Sequence, residues 1–207
     1  TRRHLERVTD RVERMRTMIQ GLLEYARAGR ERAQPERVDV GDLVGAVVQL
    51  VDPPPGVRIE IAPGMPTLRT ERAPLQQVFL NLIGNAVAHS DGTTGLIRVS
   101  WSDAGELHEF AVADDGPGIP LHLQPRIWTL FQTLPRDGTG EGSGIGLAVV
   151  RKLVELRGGS IDVTSGDGEG ATFRFTWPEA AGPRGSDGLG GPTRATTGNE
   201  RTKDGTA

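Results

Sequence analysis

Over residues 1–30, apolar side chains recur at Leu5, Val8, Val12, Met15, Ile19, Leu22 and Ala26, three and four positions apart, with arginines and acids between them. That spacing puts them in one stripe and predicts a long helix with a coiled-coil-like heptad seam. A lone helix cannot bury such a stripe, so the pattern calls for a second helix or a second subunit; a solvated helix with a sticky stripe is the plainer alternative. Past a polar joint from Ala28 to Pro35 the period changes. VGDLVGAVVQLV (40–51) predicts a helix entered by Asp39 and stopped by DPPPG (52–56), where consecutive prolines remove donors and clash with a helical turn. Residues 57–62, 96–102, 108–114, 160–165 and 171–177 read as strands, most with the period-two alternation of a half-buried sheet. Helical patterns fill 73–89 and 145–157. Interleaved strands and helices over 40–178 predict an α/β fold, a two-layer sandwich of mixed β-sheet and helices, and the tight link from Asp103 to Glu106 predicts an antiparallel hairpin. From Ala180 onward glycine, proline, serine and threonine dominate, and such a stretch cannot offset its ordering entropy. The chain therefore divides into a helix (1–30), a linker (31–39), a folded domain (40–179) and a disordered tail (180–207).

Composition narrows what the domain can do. A hydrophobic fraction of 36% with 29 glycines in 207 residues excludes a disordered or collagen-like chain as a whole, and twice the usual glycine share asks whether glycine serves chemistry here. The formal charge of −3, with a basic excess confined to the first 37 residues, provides no overall field for nucleic acid or an anionic membrane. Only a local site could bind phosphate. With no cysteine there is no disulfide, Cys-liganded zinc or thiol nucleophile, which fits a reducing compartment. No apolar run approaches the roughly 18 residues of a membrane span, and TRRHLERVTD lacks a signal-peptide apolar region. The expected location is the cytoplasm, free or as the cytosolic piece of something anchored.

Three motifs carry candidate chemistry. Asn81 and Asn85 lie four apart on one face of the 73–89 helix; Asn85 can offer a neutral oxygen to a hard cation such as Mg²⁺, although a satisfied polar pair has the same spacing. A strand then ends in DDGPGIP (114–120), where Asp114 can accept from an exocyclic amine such as that of adenine; an ordinary Asp-Gly turn is the alternative. Finally, GTGEGSGIGLAVVRKLVE (138–155) runs a glycine-rich loop into a helix. Its backbone N–H groups and helix N-terminus make a plausible phosphate cradle at Gly142, Gly144 and Gly146, with a flexible hinge equally compatible. No Gly-Lys-Ser/Thr follows, so it is not a P-loop.

The order and spacing of these motifs resemble the N, G1 and G2 boxes of the ATP-binding superfamily of gyrase, Hsp90, MutL and histidine kinases. IWTLFQTLPRD (127–137) looks like the F box of histidine kinases, and ERMRTMIQGLLEYAR (13–27) is similar to the second helix of their dimerisation and phosphoacceptor hairpin. The resemblance covers about residues 1–178 and implies a Bergerat-type fold. It implies that Asn85 coordinates Mg²⁺ on the ATP phosphates, with Asn81 beside it. Asp114 would accept from the adenine amine, and Gly116, Gly118 and Ile119 would shape that pocket. Phe131 would anchor a lid, Gly142, Gly144, Gly146 and Leu147 would cradle phosphates, and Thr172 would lie near the adenine. Arg136 would approach the phosphates or remain a solvated loop arginine.

Branch assignment turns on Asn81. Superfamily ATPases and serine kinases carry a glutamate there, because water or a serine hydroxyl needs a base, whereas imidazole is already a nucleophile near neutral pH. The sequence therefore resembles a sensor histidine kinase that transfers the γ-phosphoryl of ATP to a histidine, then to a response-regulator aspartate, as a homodimer. An ATPase or serine kinase, and a non-catalytic nucleotide-binding module, are the alternatives. Two departures stand out. Ala88 occupies a position where many histidine kinases have lysine, and His89 sits where the family often stacks a ring near adenine, a plain surface histidine being the alternative. His4, followed by Leu5 and Glu6 on what resembles the second hairpin helix, does not match the phosphoacceptor motif, so the chain reads as a fragment beginning after that histidine.

Overall fold

In the computed structural model, the described residues are 34–90, 94–105, 107–132 and 144–180, together with Val12, Met15, Arg16, Met18, Ile19, Gly21, Leu22, Leu23, Tyr25 and Ala26. The elements are β1 (Glu36–Asp39), α1 (Val40–Val51), β2 (Val57–Ile61), β3 (Thr67–Thr70), α2 (Arg72–His89), β4 (Gly95–Asp103), β5 (Leu107–Asp114), α3 (Gly146–Glu155), β6 (Ile161–Ser165) and β7 (Ala171–Pro178). Five strands form one sheet in the order β2-β4-β5-β7-β6, and β1 pairs with β3 in a separate ribbon. Only β2 and β4 run parallel within the large sheet. A parallel pair needs a crossover, which β3 and α2 provide.

The helices form the second layer, with α2 between α1 and α3. Because α2 is packed on several sides, Leu75, Val78, Phe79, Leu82, Ile83 and Ala86 are all buried. The sheet meets it with Ile97, Val99, Phe110, Val112, Phe173 and Phe175, while Arg98, Ser100 and Arg174 alternate onto the outer face. Phe79 stands edge-on to Phe110 at 5.5 Å and to Phe175 at 5.4 Å, so this aromatic-poor chain concentrates its rings between the layers.

Local chemistry sets the helix ends. Asp39 caps α1, its Oδ1 accepting the Asp42 N–H at 3.0 Å, and Asp52 closes the helix in the left-handed region ahead of the prolines. Two elements lie outside the sequence expectation. β1 and β3 each contribute one core side chain, Val38 and Leu68, amid polar ones. β1 falls in the stretch read as linker (31–39), where its four residues pair with β3.

On the N-terminal helix, Val12, Met15, Ile19 and Leu22 are helical and exposed; Leu5 and Val8 lie outside the described residues. Gly21 is buried against Ile145, and Lys152 Nζ donates to the Tyr25 carbonyl at 2.6 Å while lying 4.1 Å over the Tyr25 ring. No described helix is long and apolar enough to cross a membrane. The tail expected to be disordered lies, from residue 181, outside the described residues.

A largely buried ion pair closes the far end of the core. Arg157 donates to Glu71 Oε2 at 2.6 Å, with side chains only 14% and 15% exposed, and its guanidinium lies 5.4 Å over Trp177, whose Nε1–H donates to Thr70 Oγ1 at 2.8 Å. Removing one charge strands the other, at a cost of about 3 kcal/mol. Arg157→Met is expected to lower unfolding free energy by that amount in a urea titration, and adding Glu71→Met to recover most of the loss. An additive second loss would show that the pair is not coupled.

Candidate functional site

The site is assembled where β5, the middle and C-terminal end of α2, and the start of α3 meet. Strand alternation aims Asp114 toward the helices, on the same face as Phe110 and Val112, opposite Ala171 in register. Its Oδ1 accepts the Gly116 N–H at 3.0 Å and the Ala171 N–H at 3.3 Å. Both bonds fall on one oxygen, Oδ1. Burial raises the Asp114 pKa above the ordinary 3.8, outweighing the two N–H bonds and the nearby His89, which pull it down.

The turn after Asp114 is built backbone against backbone. A Cβ on Gly116 would stand 2.8 Å from Asp114 Oδ1 and 3.1 Å from the carbonyl of His89, the last residue of α2. Gly118, at φ 76°, lies against the Gly166 carbonyl, and Gly170, at φ 72°, against the Asp114 carbonyl; a side chain at either would collide. Ile119 is buried beneath this turn, its N–H donating to Ser165 Oγ at 2.7 Å.

Two turns back along α2, Asn81 Nδ2 donates to the Gln77 carbonyl at 2.9 Å and its Oδ1 lies against Gly146, where a Cβ would come within 2.9 Å. Gly146 thus lets the α3 N-terminus approach α2. Asn85, one turn further on, is half-buried. α3 starts at Gly146, and its N-cap residue Ile145 makes no side-chain capping bond; a helix start of this kind suits an anion. Leu147 follows, half-buried. Gly144, at φ 63°, accepts the Phe131 N–H at 2.8 Å; Phe131 is itself left-handed at φ 64° and exposed.

The structure brings Gly116 against Asp114 and His89 and Gly146 against Asn81, sets Gly118 and Ile119 on the turn held by Gly166 and Ser165, and ties Phe131 to Gly144; Asn85 and Leu147 follow Asn81 and Gly146 along their helices. Gly142 and Arg136 lie outside the described residues. Thr172 is a correction. It pairs with Ala113 and Thr164, and alternation turns it to the face of the sheet opposite Asp114. Ala171 stands beside the carboxylate instead. The sequence also missed Ser165 and Gln124, which bind the turn; a strand-end serine before GDGEG was a weak signal, and a loop glutamine was none.

Comparison with known proteins decides the family. Residues 70–181 match the model of histidine kinase-, DNA gyrase B- and HSP90-like ATPases. The chain belongs to this family. It is homologous to sensor histidine kinases: it is 30% identical over 178 residues to the methanogenesis regulatory histidine kinase FilI of Methanothrix harundinacea, covering 84% of this chain and 20% of that protein. Against the phytochrome-like protein Cph1 of Synechocystis it is 34% identical over 172 residues, covering 81% and 23%. The adaptive-response sensory kinase SasA of Prochlorococcus marinus subsp. pastoris is 33% identical over 176 residues, covering 81% and 47%. The chain therefore spans from a fifth to just under half of these relatives. The crystal structure of full-length ShkA in complex with AMPPNP superposes with a TM-score of 0.68 at 28% identity, covering 87% of this chain and 39% of that one. The two-layer fold is that of histidine kinase catalytic domains.

Proposed function

We propose that this chain is the ATP-binding catalytic part of a sensor histidine kinase, transferring the γ-phosphoryl group of ATP to a histidine for relay to a response-regulator aspartate. The observation that carries this is the placement, along one helix, of an acid–histidine pair and of an asparagine beside a helix start. Asp114 and His89 lie at the C-terminal end of α2, and Asn81, beside the uncapped start of α3, lies eight residues earlier, about 12 Å along the axis. That separation suits a nucleotide with its base at one end and its phosphates at the other.

In this reading Asp114 Oδ2 accepts the adenine amine, and a guanine carbonyl in the same place would meet a like partial charge. His89 stacks on the base, and Gly116, Gly118 and Ile119 set how closely it approaches. Gly142, Gly144, Gly146 and Leu147 cradle the phosphates, Phe131 anchors the lid, and Arg136 reaches toward the γ-phosphate. Among the described residues no group of three or more His, Asp or Glu could hold a metal, but the Asn85 amide oxygen suits Mg²⁺, which takes few protein ligands. Bound there, Mg²⁺ would neutralise phosphate charge. The chain itself orients ATP and excludes water, which is most of what phosphoryl transfer asks of a protein. The exposed Val12, Met15, Ile19 and Leu22 support homodimer pairing through the N-terminal helix, and the absence of cysteine accords with action in the cytoplasm.

Mixing the chain with γ-labelled ATP and a supplied histidine-bearing dimerisation domain of a related kinase should yield acid-labile phosphohistidine. Bound ATP with no labelled histidine would favour a regulatory nucleotide-binding module. The ATPase or serine-kinase reading is disfavoured by Asn81, an amide that cannot take a proton from water. Asn81→Glu places a carboxylate at the α3 N-terminus and is expected to raise ATP hydrolysis by up to about 100-fold. An unchanged rate removes the support for this branch assignment, and strong hydrolysis by the parent chain reverses it.

A further inference from the structure

We propose that Ser165 and Gln124 are positioning residues for the nucleotide base, locking the 116–119 turn onto the 166–170 turn and so holding the Asp114 carboxylate in binding geometry. This deepens the nucleotide-binding reading and rests on it. Ser165 is the last residue of β6, and its Oγ accepts the Ile119 N–H at 2.7 Å while its hydroxyl donates to the Gly170 carbonyl at 2.6 Å. Gln124 Nε2 donates to the Ile119 carbonyl at 3.0 Å and to the Ser165 carbonyl at 2.9 Å. The hydroxyl's one proton and both amide protons are thus spent on backbone groups. Between them the two side chains satisfy both polar groups of Ile119, the buried floor of the turn.

The rest of the contact has little strength of its own. Gly118 and Gly170 bring their backbones against Gly166 and Asp114, and the Gly168 N–H donates to the Pro117 carbonyl at 2.8 Å. Glycine pairs allow this approach but do not enforce it, because glycine has the most backbone freedom to lose. The enforcing groups are Ser165 and Gln124. Their effect reaches the carboxylate by a short covalent route: Ser165 holds the Gly170 carbonyl, and the next N–H, that of Ala171, donates to Asp114 Oδ1. Neither side chain bonds to Asp114, so each acts through the turn.

The test uses the whole chain as wild type, Ser165→Ala, Ser165→Thr and Gln124→Ala, titrated calorimetrically with Mg·ADP and separately with inorganic tripolyphosphate. Amide hydrogen exchange is followed at Gly116 without ligand. Ser165→Ala is expected to weaken ADP about tenfold, equivalent to about 1.4 kcal/mol, to leave tripolyphosphate unchanged, and to speed exchange at Gly116; Gln124→Ala should act in the same direction. Ser165→Thr keeps the hydroxyl and should restore most of the loss. Unchanged ADP affinity in both alanine variants overturns the assignment, as does equal weakening of ADP and tripolyphosphate without rescue by threonine. Should Ser165→Ala fail to fold, Gln124→Ala decides by the same two ligands. A wild-type chain that binds tripolyphosphate but not ADP overturns the base-site reading itself, and this assignment with it, a result distinct from a variant that matches a competent wild type.

Discussion

Asp114→Asn is expected to cost roughly 10- to 100-fold in ADP affinity, the value of a hydrogen bond to a charged acceptor, and to raise the thermal stability of the unliganded protein at neutral pH. The two effects have one cause. Burial raises the Asp114 pKa, so the folded chain holds this proton to a higher pH than the unfolded chain does. Between 3.8 and the raised value the folded state binds more protons, so stability present below that window is lost as pH rises through it. At neutral pH the ionised carboxylate is therefore a penalty, which asparagine does not carry. Binding runs the opposite way: the carboxylate is the form that accepts the adenine amine, so ADP affinity should fall as pH is lowered through the raised pKa, and the asparagine variant should lose that dependence. Calorimetric melting at pH 7 and ADP titrations across acidic pH check both. Unaltered ADP affinity in the variant would remove Asp114 from the base site.

Gly118→Ala should be among the most damaging single-methyl changes near the site, with a loss on the order of 3 kcal/mol in unfolding free energy and of measurable ADP binding. Two costs combine: a left-handed backbone that alanine adopts at roughly 1–2 kcal/mol, and a methyl group driven into the Gly166 carbonyl, where overpacking costs about 1–3 kcal/mol. Gly105 supplies the control. It is also left-handed, at φ 84°, but nothing lies within 4 Å of its would-be Cβ, so Gly105→Ala should show the backbone cost alone. Urea unfolding of the two variants separates collision from conformation, and equal losses would mean that the interlocked turns yield easily.

Features governed by neighbours in sequence were legible, and those governed by neighbours in space were not. α1 was readable to the residue because Asp39 caps it and three prolines follow its end. Five strands and two further helices followed from periodicity. β1 and β3 escaped because ERVD and TLRT each hold a single core side chain, too few positions for alternation to register. Asp114, Gly116 and Gly118 were legible as a motif, but Thr172 was placed at the base although the face it takes depends on register, and one residue of offset exchanges Thr172 for Ala171. The approach of Asn81 to Gly146 joins residues far apart in sequence, and only packing shows that this glycine sets a helix-to-helix distance as well as opening a cradle.

The strand order has a consequence for how the molecule is made. β7 is the last of the described elements, yet it lies inside the sheet between β5 and β6 and brings Phe173, Phe175 and Trp177 to the core. While the polypeptide is being synthesised from its N-terminus, β5 keeps an open hydrogen-bonding edge, and Phe79 and Phe110 lack their third ring, until residue 178 has left the ribosome. A chain released before β7 has emerged therefore has neither a finished core nor the Ala171 N–H that holds the Asp114 carboxylate.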